Sequence, residues 1–248
     1  MPHADIFKKF LIEYDKANIT TSFPSLTDYE IATVLDKAYN ALLAQKFTGV
    51  NIRRAGFEAD AKAIEDVRPL ITRESNLPRV YNAQGIATNE YVFKMPDNMR
   101  YFIEGSVTYS NSGDALDNKS HVYYNMILTS HAVANGYKSS ATNMPWIKDP
   151  VCYLENDNIH VLVDPYVRAK HGSYTDNNDQ TVEIPIVCNI VYLKEPNKFV
   201  SDYEDKDTEF ELNEQMAEEL ISLAITFSVE IVESSRINTR AAVTNLEP

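Results

Sequence analysis

The sequence predicts an α+β fold: N-terminal helices, a central, mostly antiparallel β-sheet or barrel-like region of about five strands, and a long C-terminal helix. Three observations predict it. Apolar residues recur at helical spacing up to about residue 67, alternate with a period of two from about residue 78, and return as a broad apolar arc between Leu220 and Val232. The parts fall at residues 1–76, 77–208 and 209–248, and the last helix and tail are expected to pack on the N-terminal helices as one structural unit.

Ile6, Phe7, Phe10, Leu11 and Tyr14 share helical spacing and predict a short first helix. The second helix is set by its start. Thr27-Asp28-Tyr29-Glu30 has the form of a capping box, in which the Thr27 hydroxyl and the Glu30 carboxylate each satisfy a backbone N–H that the first turn leaves without a partner. Ile31, Val34, Leu35, Ala38 and Leu42 follow as one stripe, Phe47 extends it, and Gly49 supplies the stop. A third helix runs from about Phe57 to Val67, with Phe57, Ala61 and Ile64 on one face, and Pro69 ends or kinks it.

The runs Tyr91–Met95, Tyr101–Tyr109, Val122–Leu128, Ile159–Val163 and Val182–Leu193 give five candidate strands. The last is apolar on both sides after Val187, which predicts a strand covered on both faces. Pro185 has no N–H for the ladder, so that end lies at an edge or a bulge. Ser110–Ser120 and His171–Gln180, rich in Ser, Asn, Asp and Gly, read as exposed loops.

In the final element Glu209, Glu211, Glu214, Glu218 and Glu219 gather at the start, while Arg236 and Arg240 follow the end, as a helix dipole favours. Its apolar residues cover well over half of a helical wheel, where a surface helix shows a stripe about 100° wide. Such a helix is either central to the fold or shared with another chain. Ile225, Thr226, Val229, Ile231 and Val232 are β-branched, so a strand is the alternative here.

Composition excludes several classes. Gly and Pro number 7 and 11 in 248 residues, too few for a collagen-like or low-complexity chain. With 36 acidic against 23 basic residues the surface repels phosphate backbones, which argues against an electrostatic grip on nucleic acid. Met1-Pro2-His3-Ala4-Asp5 does not open a secretory signal, and Leu220–Val232 is too short and too polar to span a bilayer. A cytoplasmic product is expected. Cys152 and Cys188 could form one bridge, but each sits in an apolar strand-like run and reads as a reduced core thiol.

The usual chemical constellations are missing. Seven dispersed glycines build no G-x-x-x-x-G-K-[ST], G-x-G-x-x-G or G-x-S-x-G motif. His3, His121, His131, His160 and His171 show no i+3 or i+4 pairing of the kind zinc helices use. His160 faces opposite Ile159 and Val161 and reads as a strand-face histidine; Glu155, Asp157 and Cys152 nearby supply no second thiol. Asp97 and Glu104 have the spacing of nuclease carboxylates, yet Glu104 precedes Gly105-Ser106 where a lysine partner is needed, and Pro96-Asp97-Asn98 reads as a turn. The fifteen tyrosines are scattered and read as sheet packing. No catalytic, cofactor or metal residues are assigned.

The two ends of the chain do resemble a family. Leu26-Thr27-Asp28-Tyr29-Glu30-Ile31 through Ala38-Tyr39-Asn40-Ala41-Leu42 resembles the helical opening of head-to-tail connector proteins of tailed bacteriophages. Glu218-Glu219-Leu220-Ile221-Ser222-Leu223-Ala224 through Glu230-Ile231-Val232-Glu233-Ser234-Ser235-Arg236 is similar to the C-terminal helix of virion proteins of crAss-like phages. The resemblance implies a structural virion protein, made in the host cytoplasm, at the head-tail junction. It implies a cyclic homo-oligomer, a dodecamer, that docks on the portal and on other neck or tail rings, and that passes genomic DNA without reading its sequence. It implies no cofactor, no catalytic residues and no membrane. The candidate interface residues are Leu220, Ile221, Leu223, Phe227 and Ile231 on the arc, with Arg236 and Arg240 in the tail that such connectors bring to the portal. The alternatives are a tail-tube or terminator ring, a β-rich receptor- or glycan-binding module using tyrosine-rich loops, or an enzyme with a dispersed site.

Overall fold

The computed structural model describes residues 1–17, 26–48, 61–80, 89–109, 123–139, 144–146, 148–164, 174–175, 181–182, 186–199 and 208–232. The chain divides into two compact units: a helical unit, Met1–Leu70 with Pro196–Pro248, and a sheet unit, Ile71–Glu195. The described helices are α1 (His3–Ala17), α2 (Asp28–Thr48), α3 (Ala61–Val67), α4 (His131–Ser139) and α5 (Glu214–Val232). The described strands are β1 (Ile71–Glu74), β2 (Glu90–Lys94), β3 (Met99–Tyr109), β4 (Tyr123–Asn125), β5 (Ile127–Leu128), β6 (Val151–Glu155), β7 (Asn158–Leu162), β8 (Tyr174–Thr175), β9 (Thr181–Val182) and β10 (Ile186–Lys194). The α+β class and the long C-terminal helix are as the sequence predicts.

In the helical unit the expected capping box forms. The Thr27 N–H donates to Glu30 Oε2 at 2.8 Å, and the Glu30 N–H donates to Thr27 Oγ1 at 3.3 Å. That bond from the Thr27 backbone, with one from its hydroxyl, holds the Glu30 carboxyl below the usual carboxylate range. Ile31, Val34, Leu35, Ala38 and Leu42 are all buried, as are Ile6, Phe7, Phe10 and Tyr14 of α1. Each of the Val, Leu, Ile and Phe side chains among them contributes about 1.5–3 kcal/mol by leaving water. Beyond α3, Pro69 sits in a 3-10 turn, Arg68–Leu70; Gly49 and Phe57 lie outside the described residues.

Helix α5 packs against both α1 and α2. That double contact explains its apolar arc: Met216, Ala217, Leu220, Ile221 and Ala224 are fully buried within the unit. It starts at Asn213, whose side-chain oxygen accepts the Met216 N–H at 2.8 Å. Residues before α5 close the unit on its own beginning. The His3 N–H donates to the Thr208 carbonyl and the Phe210 N–H to the Met1 carbonyl, each at 2.9 Å. The Phe199 ring lies against His3, tilted by 31° with ring centres 4.3 Å apart, and Tyr39 meets Phe210 at 5.1 Å. Burial pulls the His3 imidazole below its ordinary value and pushes the Asp36 carboxyl above its own, although Asp36 also accepts the Phe199 N–H at 2.9 Å.

The sheet unit holds two open four-stranded sheets, ordered β1-β10-β3-β4 and β2-β7-β6-β5, and a small β8-β9 ribbon. Every described pairing is antiparallel except β5 with β6. More strands form than the five apolar runs mark. β1 begins before residue 78, β6 was visible only as the apolar run around Cys152, and β8 lies inside the segment His171–Gln180 read as a loop. Ser110–Ser120 and Pro185 lie outside the described residues. Tyr91, Phe93, Cys152, Ile159 and Val161 from one sheet and Val107, Cys188, Ile190 and Tyr192 from the other form one buried cluster. Both thiols are free and buried there, and burial pushes each up to about 12, so neither ionises near neutrality. Gly105 of β3 sits where a Cβ would overlap the Met126 methyl and lie 3.0 Å from the Phe102 ring. Two asparagines take left-handed backbone: Asn76 (φ 59°), and Asn156 (φ 52°) in the β6–β7 turn.

Candidate functional site

Because strand side chains alternate, the face of β2, β7 and β6 opposite the core cluster carries its own set. Register places Tyr153 directly across from His160, and Glu90 across from Leu162. Ala134 and Tyr137 of α4 pack on this face with Val151, Tyr153 and Leu162. The second sheet is thus covered on both sides, and the polar groups between it and α4 must satisfy one another.

They do so around one carboxylate. Glu90, whose side chain is fully buried, receives Lys138 Nζ of α4 at 2.8 Å, His160 Nδ1 at 2.8 Å and the Tyr153 hydroxyl at 2.5 Å, all on Oε1. Lys138 also donates to the Tyr153 oxygen at 2.6 Å. The Tyr153 and His160 rings stack at 4.7 Å, and His131 meets Tyr153 edge-on at 5.0 Å. Burial, then the hydrogen bond to Glu90 and the charge of that carboxylate, raises the Tyr153 phenol well above its ordinary range. Nearby, the Asn89 side-chain amide donates to the Val163 carbonyl at 3.1 Å, and the Asn89 backbone carbonyl accepts the Val163 N–H at 3.0 Å. The arrangement ties a short helix to a sheet through a charge that has exchanged water for three donors. Lys138, Tyr153 and His160 all converge on this one carboxylate, which suits a strut.

His160 is a strand-face histidine, as the alternation implies, with Glu155 at 3.8 Å from its outer nitrogen. Glu90, Lys138 and Tyr153 carry no motif and went unread. The one signal was an acid heading an apolar run, Glu90 before Tyr91-Val92-Phe93. Among the described residues no group of three or more His, Cys, Asp or Glu could hold a metal ion, and no helix is long and apolar enough to cross a membrane.

The candidate interface residues fall into three sets. Leu220, Ile221 and Phe227 are buried inside the helical unit, and Lys37 Nζ lies 4.6 Å from the centre of the Phe227 ring. Leu223 is half-buried and borders an open groove between α2 and α5, with Leu42, Gln45, Glu218 and Thr226. The Ile231 side chain, Arg236 and Arg240 lie outside the described residues. Ion pairs flank the groove: Lys46 reaches Asp66 at 2.9 Å and Glu219 at 3.1 Å, and Lys9 pairs with Glu218. Burial alone would lower the Lys46 ammonium, but Asp66 and Glu219 outweigh it and leave it raised.

No curated protein matches the chain. A family model described as phage tail ring protein 3/4 matches residues 1–236. A match of that extent leaves little of the sequence outside it, so the chain belongs to this family of crAss-like phages, as a structural component of the virion tail that assembles into an oligomeric ring with other tail proteins.

Proposed function

We propose that this ring is a head-to-tail connector: it docks on the phage portal at the head-tail junction and continues the DNA channel into the tail. The family match over residues 1–236 carries the reading, because it fixes a ring in the tail, and the connector-like blocks at residues 26–42 and 218–236 extend it to the junction. A formal charge of −13 supports it. An acidic lumen lets genomic DNA slide past without adhering, and no sequence needs to be read. The ring has twelve copies. Half-buried Leu223, together with Ile231, Arg236 and Arg240 further along, contributes to its contacts, while Leu220, Ile221 and Phe227 support that surface from beneath.

Native mass by light scattering, alone and with the purified portal, tests this. Twelve chains of 28.1 kDa give about 340 kDa, and a stable complex with the portal is the expected result. A ring of full mass that ignores the portal but binds a tail protein would favour a tail-tube or terminator ring, which the family description accommodates equally. A strict monomer under all these conditions would sink both readings.

A further inference from the structure

The sheet β1-β10-β3-β4 gives one face to the core cluster through Val107, Cys188, Ile190 and Tyr192. Alternation turns the residues between them to the opposite face. Register fixes the neighbours there. Ser106 lies across from Asn189 on one side and from Asn125 on the other, and Val191 lies between Arg73 and Glu104. Together with Tyr123 these residues line a cleft of about 230 Å³ that draws on all four strands. Ser106 and Asn189 are buried, so part of the cleft is already shielded from solvent.

Its polar groups have capacity to spare. Asn189 Oδ1 accepts the Asn76 N–H at 3.0 Å, which leaves the Asn189 amide free to donate. Among the described residues the Ser106 hydroxyl and the Asn125 carboxamide have no hydrogen-bond partner, and Arg73 and Glu104 form no ion pair. Thr108, next along the same face, buries a hydroxyl without a partner. Buried polar groups in folded chains are normally paired, as they are around Glu90, so the open set in this cleft points to a polar guest.

The chemistry of the lining selects that guest. Arg73 and Glu104 cancel in charge, which favours neither an anion nor a cation. Ser106, Asn125 and Asn189 each combine donor and acceptor capacity. A hydroxyl group does the same, whereas a phosphate only accepts and an ammonium only donates. Tyr123, 56% exposed, adds an aromatic ring for the apolar C–H face of a sugar. The volume lies below the roughly 300–1,000 Å³ of drug-sized ligands and suits a single sugar ring. An extended peptide would instead add to the edge of a sheet, and this cleft lies on a face.

We propose that the cleft binds one neutral hexose unit of a glycan, held by Ser106, Asn125 and Asn189 between Arg73 and Glu104, with Tyr123 against the sugar ring. The site belongs to the sheet unit alone and is independent of ring assembly and portal docking. Saturation-transfer NMR on the full-length chain tests it, with the methyl glycosides of glucose, galactose, mannose and N-acetylglucosamine as probes at millimolar concentration. At least one should bind. Asn125→Ala and Tyr123→Ala should each weaken that binding by about tenfold, the size of one lost contact, with far-UV CD unchanged. Should either variant lose its CD signal, Arg73→Gln on the opposite wall decides, with the same loss expected. No transfer to any of the four probes would overturn the proposal. So would binding that survives Asn125→Ala, Tyr123→Ala and Arg73→Gln alike, since the sugar would then sit elsewhere. A chain that binds no glycoside, but whose Asn125→Cys variant is shielded from a maleimide in assembled rings, would make the cleft a protein contact instead.

Discussion

The helical unit buries its polar groups one at a time, whereas the sheet unit gathers them around one carboxylate. In the helical unit polar groups are buried singly or at the margin: Lys9 with Glu214 and Glu218 lies on the surface, half-buried Lys46 covers buried Asp66, and His3 is buried against Phe199. In the sheet unit a carboxylate, an ammonium, a phenol and an imidazole sit together beneath α4. A surface ion pair adds little because water competes for both partners. A buried one adds little net stability too, but it is costly to break, so it fixes geometry. The units also differ in connectivity. One is a continuous stretch, Ile71–Glu195, and the other is assembled from both ends of the chain.

The sharpest way to break the comparison is to end the chain at Glu195. Without α5 the helical unit has no partner for the buried faces of α1 and α2, and its helical CD signal should collapse. The sheet unit should keep a cooperative urea transition, and loss of that transition would show that it depends on the helices. Next in size is Glu90→Gln, which leaves half-buried Lys138 without its counter-charge. It should cost about 2–3 kcal/mol by urea unfolding of the sheet unit, and a loss below 1 kcal/mol would mean that water reaches the cluster. Thr27→Ala removes the α2 cap and should cost about 1 kcal/mol, seen in the helical transition alone. Gly105→Ala should cost a similar amount, about 1 kcal/mol of overpacking, and a smaller side chain at Met126 should recover it. The smallest effect belongs to Lys9→Met, which should leave the urea midpoint unchanged. For pH the sign follows from His3. Its folded pKa lies below the ordinary 6.5, so its contribution is complete above that value and is lost as pH falls. Acidification below pH 6.5 should therefore weaken the helical unit, less so in His3→Phe, while Asp36, raised by burial, works in the opposite direction at lower pH.

How much of this was legible depended on the distance over which the causes act. The capping box at Thr27 and Glu30 is local side-chain chemistry, so four letters sufficed. The α5 arc was legible as a central helix or a shared one, since packing on α1 and α2 and packing on another chain write the same pattern. Helix α4 escaped because only Ala134 faces fully inward, Val133 is exposed and Gly136 weakens its propensity. The Glu90 cluster escaped for a different reason. Its members are separated by up to 70 positions, and only the β2-β7-β6 register brings them together.

The sheet unit enters and leaves through neighbouring strands, since Ile71 of β1 pairs with Leu193 of β10. It is therefore a closed excursion from the helical unit, finished before the ribosome reaches α5. At about 5–20 residues per second the remaining helix follows within a few seconds, and the α2–α5 groove is the last of the described surfaces to form. A ring that uses this groove cannot begin to assemble on an unfinished subunit. Stalled chains ending between Glu195 and Glu214 would show the sheet unit already resistant to protease and the helical unit still cleaved.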